Sequence, residues 1–323
     1  MRSQIDGTHA DHILTVVGDG LAPAQSIVAA SWRRSLTFYG LDPNEQRSPE
    51  MLTELQLCEA CQEIEPLTRV AQSTLDRLFL AVGDAGCCVL LASRDGVPVD
   101  RRGVAADDKT FRRWGLWMGA VWSEAHQGTN GIGTCLAEGR ALTIHRDQHF
   151  HTRNIGLSCT VAPIYDHLGR LAAALDVSSF RGDLTDGLTN LIAAAVASAA
   201  RSIEVQNFRQ AFPDARIVLA SDAEKGASAL LAVDRHDLVI GATRSARLSL
   251  NITDDRISGH LPAIDVLASS SSQGADLHDA ERGVLRRVLA QAGGNVSAAA
   301  RALGISRATL HRKLNRLGVA APH

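Results

Sequence analysis

The side chains with the plainest chemistry lie between 277 and 323 of this 323-residue chain. Eight Lys/Arg stand there against Asp279 and Glu281, a formal +6, whereas the whole chain is −2 and its first 276 residues are therefore −8. A basic module on an acidic body is the footprint of phosphate binding confined to one region. Val284, Leu285, Val288 and Leu289 recur at helical spacing, so a helix is expected from about Asp279 to Ala292, stopping at Gly293-Gly294. Asn295 can cap a second helix carrying Val296, Ala299, Ala300 and Leu303. Gly304 suits a tight turn, and Ser306 can cap a third helix whose buried stripe is Leu310, Leu314 and Leu317. Thr309, Arg312 and Arg316 then fall on the opposite side, with His311 and Lys313 on the flanks. Such a pattern is a helix-turn-helix whose last helix suits a major groove.

A second concentration of special residues is Trp122-Ser-Glu-Ala-His-Gln-Gly-Thr-Asn-Gly-Ile-Gly-Thr134. Its glycines are no phosphate cradle: no Lys follows as in a P-loop, and Leu136 stands where a dinucleotide fingerprint needs its third glycine. Gly128, Gly131 and Gly133 instead suit a turn at the mouth of a sheet, with Thr129, Asn130 and Thr134 available for capping. Trp114, Trp117 and Trp122, three of only four tryptophans, cluster just before and at its start, beside Phe111. In an aromatic-poor chain they serve as a core plug or as a ligand-lining wall. Six cysteines make no disulfide framework at this length. Cys58-Glu-Ala-Cys61 lies in a Leu-rich helical pattern without a second pair or nearby histidines, so buried, reduced thiols are expected and no metal. Catalytic residues are not assigned, because no complete nucleophile–base set is visible.

These elements need an α+β scaffold. A helix over Gln25–Tyr39 and another from Glu50 to Leu80, capped by Ser48 with Pro49 in its first turn, precede a change of period. Strands are expected at Cys87–Ala92, Ala141–Ile144, Ser158–Ile164 and Leu171–Val177, the last two joined by the Asp166–Gly169 turn in an antiparallel sheet. From Asp186 to about Phe208 a helix carries Leu184, Leu188, Leu191 and Ala195 as a stripe that packs on a sheet or on its own copy. The boundaries are 1–80 for an N-terminal helical segment, 81–185 for a sensor-like domain, 186–208 for a connecting helix, 209–268 for a short unit, 269–276 for a Ser-rich linker and 277–319 for the DNA-binding module. The linker reads as a flexible tether that lets that module move semi-independently. The start lacks an apolar targeting core, and the longest apolar stretch, Leu191–Ala200, is half a membrane span, so a soluble cytoplasmic protein is expected.

The run from Asn295 to Leu314 closely resembles the Fis-type helix-turn-helix. That resemblance implies a homodimer on a pseudo-palindrome of double-stranded DNA, with contacts at Ser306, Arg307, Thr309, His311, Arg312 and Lys313, to which the outward face of the third helix adds Arg316. Trp122-x-Glu124 with Gly128-Thr-Asn-Gly-Ile-Gly-Thr134, then Gln148-His-Phe150, Ser158-Cys159 and Leu175-Asp-Val-Ser178, resembles the GAF sensor domain of acetoin-catabolism and dihydroxyacetone-type activators. Ser31-Trp-Arg-Arg-Ser35 with Gly40-Leu-Asp-Pro43 is similar to the same family's N-terminal helix, and Ala232–Thr243 resembles the start of a PAS domain. Those relatives usually carry an ATPase domain that remodels the sigma-54 polymerase between sensor and DNA-binding module. Only about seventy residues stand there in this chain, without a G-x-x-x-x-G-K-[ST] run. The resemblance thus implies a multidomain α+β transcriptional regulator, not an enzyme, that senses a small-molecule effector without that ATPase and without a cofactor. Contact with RNA polymerase is one route of action. The expected ligand contacts are Trp117, Trp122, Glu124, Asn130, His149 and Cys159. Alternatives are an architectural DNA-binding protein with a vestigial sensor, and a redox sensor using Cys135 and Cys159.

Overall fold

A computed structural model of the chain describes residues 2–19, 21–46, 48–220, 229–267 and 277–319. It divides into two compact units, residues 1–165 with 171–204, and residues 166–170 with 205–323. The expected Ser-rich linker at 269–276 lies outside the described residues.

In the first unit, α1 (Arg2–Gly18), α2 (Ala22–Gln25) and α3 (Ile27–Arg33) precede a π-helical turn over Arg34–Phe38. Then come α4 (Glu54–Glu63) and α5 (Glu65–Val82). The helix expected from Glu50 therefore begins later, because Thr53 and Gln56 form a reciprocal capping box while Met51 pairs with Ala120 in an isolated bridge. It also breaks at Ile64, ahead of Pro66 at the start of α5. Cys58 is exposed and Cys61 half-buried, which corrects the expectation of a buried pair: α4 has no fully buried residue, and only Cys61 packs against the edge of the core.

The sheet comprises β1 (Cys87–Ser93), β2 (Pro98–Arg102), β3 (Leu142–His145), β4 (Ser158–Tyr165) and β5 (Leu171–Ser179). Its order is β2-β1-β5-β4-β3, with every neighbouring pair antiparallel. Between β2 and β3 run α6 (Asp108–Trp114), α7 (Glu124–Gln127) and α8 (Gly131–Glu138). β2 escaped the sequence reading because it is a short edge strand opened by Pro98 and continued by charged residues, which carry little alternation. One sheet face, with Val89, Leu91, Leu175 and Val177, packs on α5 and on α9 (Asp186–Ala211). The buried side of α9 is Ile192, Val196, Ala199, Ala200 and Ile203. Leu188 and Ala195 of the expected stripe Leu184–Leu188–Leu191–Ala195 pack against this core, whereas Leu191 is 67% exposed and Ile192 is buried in its place. By length and composition alone α9 could cross a membrane, but its apolar side is spent on the sheet, as in the core helix of a folded domain.

The second unit opens with β6 (Arg216–Leu219), β7 (Leu230–Val233) and β8 (Val239–Ala242), paired in that order. α10 (Arg244–Ser249), α11 (Asp254–Ser258) and α12 (Ala263–Leu267) cover them. Three helices follow: α13 (Leu277–Gln291), α14 (Val296–Ala302) and α15 (Arg307–Arg316). Asp237 pairs with both Arg216 and Arg286, and Asp265 with Arg287, tying α13 to the strands and to α12.

Candidate functional site

The helix-turn-helix is built from local signals. Asn295 Oδ1 accepts from the amides of Ser297 and Ala298 at 3.0 and 3.1 Å, and Ser306 Oγ accepts from Thr309 N at 3.1 Å. Both caps satisfy donors that a helix start otherwise leaves unpaired. Gly304 sits at φ +65°, a left-handed conformation that a β-branched residue resists. Leu310, Leu314 and Leu317 are buried with Leu285, Leu289, Ala299 and Ala300, as the spacing predicts.

On α15, Arg307, His311, Arg312 and Arg316 are exposed and Thr309 and Lys313 half-buried. Two of the seven expected contacts are engaged inside the module: Glu281 of α13 takes Lys313 Nζ on one oxygen and Arg316 Nη2 on the other. Lys313 and then Arg316 hold the Glu281 carboxyl below its usual range. Ser306 and Thr309 also share a hydroxyl–hydroxyl bond of 2.8 Å. Arg307, His311 and Arg312 remain as the outward set.

The sensor candidates do not converge on one open pocket. Trp122 is 1% exposed and donates its indole N–H to Gly115 O at 2.7 Å, so it is a core plug. Trp117 lies half-buried under two guanidinium groups, Arg101 at 4.3 Å and Arg112 at 3.8 Å. Asn130 caps α8 through Gly133 N at 2.8 Å and donates Nδ2–H to Gly128 O at 2.8 Å. Gly131 and Gly133 thus belong to the first turn of α8 and not to the preceding loop. A Cβ on Gly133 would lie 2.4 Å from Glu124 N, so close backbone approach, with no nucleotide, accounts for that glycine.

His149 and Cys159 do meet. Asp176 Oδ2 accepts from Ser178 Oγ at 2.7 Å, Ser178 Oγ approaches Cys159 Sγ at 3.0 Å, and that sulfur lies 3.5 Å from His149 Nε2. All four residues are buried. Burial pushes the Cys159 and Cys135 thiols well above their ordinary range, with Asp176 adding to both. It lowers His149 to about 4 and raises Asp176 to about 7. A neutral thiol beside a neutral imidazole is not an activated nucleophile. The same burial opposes the redox alternative, which needs an exposed thiolate. Asp176 Oδ1 has no hydrogen-bond partner, and a Cβ on Gly131 would approach it to 3.4 Å. Among the described residues no group of three His, Cys, Asp or Glu could hold a metal ion.

What the sequence reading missed is the lock between the N-terminal helices and this loop. Arg34 grips Glu124, which is 3% exposed, through Nε at 2.7 Å and Nη2 at 3.0 Å, and also reaches Glu138 at 2.7 Å. Ser31 Oγ bonds Thr129 Oγ1 at 2.7 Å and lies 3.3 Å from Thr134 Oγ1. Trp32 donates to Gln148 O at 2.9 Å, and His9 Nε2 lies 3.0 Å from His149 O. Thr152 N donates to Pro43 O at 2.9 Å. The motifs around Ser31, Pro43, Gly131 and His149 are therefore faces of one interface. Each is visible in the sequence as a motif, but nothing local links them.

The model for "Bacterial regulatory protein, Fis family" matches residues 277–317, and the GAF domain model matches 66–203, which takes α5 and α9 into the sensor domain. The acetoin catabolism regulatory protein of Cupriavidus necator is 36% identical over 73% of this chain and 36% of its own length. The propane 2-monooxygenase operon transcriptional activator MimR of Mycolicibacterium smegmatis is 32% identical over 45% of the chain and 24% of its own length. The chain thus spans well under half of these relatives. The Escherichia coli DhaR(N)–DhaL complex contains a similar fold, with a TM-score of 0.50 at 14% identity, over 70% of this chain and 76% of that one.

Proposed function

Because the chain joins a GAF domain to a Fis-type helix-turn-helix and is homologous to acetoin-catabolism and MimR-type transcriptional activators, we propose that it is a sequence-specific, ligand-responsive transcriptional regulator and not an enzyme. The observation that carries this is α15, capped by Ser306, with Arg307, His311 and Arg312 turned outward from a module of net positive charge. In a homodimer two such helices would read half-sites about one helical turn apart. The outer side of α9, where Leu191 is exposed, is the surface we assign to dimer formation.

The segment between α9 and α13 is a small three-stranded unit, which supports action without a sigma-54 ATPase, through DNA occupancy or contact with polymerase. The effector would act on the sensor around Trp117, His149 and Cys159 and must favour one dimer state over the other. Relatives named for acetoin catabolism and a propane 2-monooxygenase operon make small neutral metabolites the first class to try.

The test is sequencing of genomic fragments captured by the purified protein, with and without acetoin. A sharp palindromic motif whose occupancy changes with the metabolite is the expected result. Diffuse capture that disappears with modest salt would overturn sequence specificity and favour an architectural role.

A further inference from the structure

Arg101 belongs to an edge strand, yet its side chain enters the covered side of the sensor sheet. Successive residues of β2 face opposite ways: Arg102 turns to the α5 side, where Asp76 takes it, and Arg101 lies level with Leu90 of β1 on the other. There the guanidinium is 5.4 Å from the Phe111 ring and 4.3 Å from that of Trp117. The side chain is 9% exposed, and its Nη1 end is paired with Asp108 at 2.8 Å. Gly103 lets the main chain pass against the group, since an added Cβ would collide with Nη2. Rings, ion pair and glycine fix the guanidinium plane and leave its Nε–Nη2 edge as the side that can take a ligand.

Nε and Nη2 are both buried, and neither has a hydrogen-bond partner among the described residues. Two buried donors without an acceptor carry the full cost of their desolvation. Elsewhere in the same unit this edge takes a carboxylate. Arg34 holds Glu124 through Nε and Nη2, and Arg181 holds Asp183 in the same way at 3.1 and 3.0 Å. The two parallel N–H groups match the two oxygens of such an anion. The neighbouring Asp100 does not supply one, because Arg102 and Gln72 engage it. The rings of Phe111 and Trp117 are apolar walls that suit a short aliphatic tail. Trp117 is half-buried on the non-helical stretch after α6, and it is the side chain that must yield for a ligand to reach the edge.

We propose that Arg101 anchors a subsite for a short-chain carboxylate, whose oxygens accept from Nε–H and Nη2–H while its tail lies against Phe111 and Trp117. Two strands separate β2 from β4, so the subsite is distinct from the His149–Cys159 pair. It rests on the sensor reading only through Trp117, and its test uses neither DNA nor acetoin, so either can fail without the other.

The experiment is calorimetric titration of the full chain with propionate, propionamide and inorganic phosphate, alongside tryptophan fluorescence. Propionate should bind and alter the fluorescence, and Trp117→Phe should remove that change. Arg101→Lys keeps the charge that pairs with Asp108 but lacks the two-pronged edge, and should weaken binding at least tenfold. Arg112→Gln removes an exposed cation beside the same indole and should weaken it far less. Should Arg101→Lys unfold, the Nε–H resonance of Arg101 in the parent decides: identified by its contacts with the Phe111 and Trp117 rings, it should move when propionate is added. The proposal fails if propionate does not bind at millimolar concentration, if propionamide or phosphate binds as tightly, if a folded Arg101→Lys binds unchanged, or if the resonance does not move.

Discussion

The helix-turn-helix and the glycine loop of the sensor are both capped turns leading into short helices, but their supports differ in reach. Asn295 and Ser306 bond amides two or three residues away. The loop at 128–134 is held by Arg34 on Glu124 and Ser31 on Thr129, across 90 and 98 residues of sequence. The caps of the first need only neighbouring residues, although α13 is also tied to Asp237 and Asp265. The second needs an N-terminal helix to arrive at the right place, so the loop's conformation is conditional on a distant element in a way that the caps of the reading head are not. A conditional element is one whose equilibrium other events can bias.

The two regions also treat charge differently. Asp176 is fully buried and no cation contributes to its shift, whereas Glu281 is held by Lys313 and Arg316. The largest effect should therefore be on the sensor's pH dependence. Folded Asp176 keeps its proton up to about 7, whereas the unfolded chain releases it near 3.8. The folded state binds more protons across that window, so stability falls as pH rises through it, by roughly 4 kcal/mol in all. His149 acts in the opposite sense: the unfolded chain protonates below 6.5 and the folded one only below about 4, so stability falls as pH drops through that range. The two offset one another over most of their overlap, and the loss from Asp176 is unmasked as pH approaches 7. Asp176→Asn should gain stability over the parent from pH 5 to pH 8 and lose it on acidification through His149. Denaturation by urea across pH checks this; parallel curves for parent and variant would show that Asp176 is compensated in solution.

The next effect in size tests the long-range lock. Arg34→Ala leaves Glu124 buried without its partner, at a cost of roughly 3 kcal/mol. Glu124→Gln should cost less in combination with Arg34→Met than the sum of the two, because neither then strands a charge. A thermal melt of the four proteins measures the coupling, and simple additivity would reduce this contact to a passive one. DNA affinity measured on the same set shows whether the lock affects the reading head.

The difference in reach also explains what could be read from the sequence. Val284 to Leu317 declared three helices, two caps and a turn because caps, apolar periodicity and positive-φ glycines act within one or two turns. Strands β1, β4 and β5 were equally visible as apolar runs. Residue type alone makes Trp122 and Asn130 look like ligand contacts, yet they serve the core and a cap. Arg34 and Asp176 sat inside quoted motifs without any local mark of their role. An arginine in a helix looks like a solvated charge until a carboxylate ninety residues away is placed against it. Asp176 lies in a strand row opposite Leu90 and Val161, and only pairing reveals that its side chain faces inward.

The smallest effects distinguish residues within α15 itself. Arg312 and Lys313 are adjacent and carry the same charge, and composition alone would rank them together. Their surroundings separate them: Arg312 is exposed, while Lys313 is bound to Glu281 at the junction with α13. If Arg312 meets phosphate, Arg312→Ala should lower the slope of log affinity against log salt by about 0.9, with the melting profile unchanged. If it reads a base, the slope should hold, and discrimination at one position should relax by ~1–3 kcal/mol. Lys313→Ala should instead slightly loosen the contact between α13 and α15, with a smaller change in salt slope, because a paired cation has already shed part of its attraction for phosphate. Equal salt slopes for the two variants would mean that DNA takes Lys313 from Glu281 on binding. The pair would then be a reserve of positive charge opened by DNA itself, and Arg316, held by the same carboxylate, would be released with it.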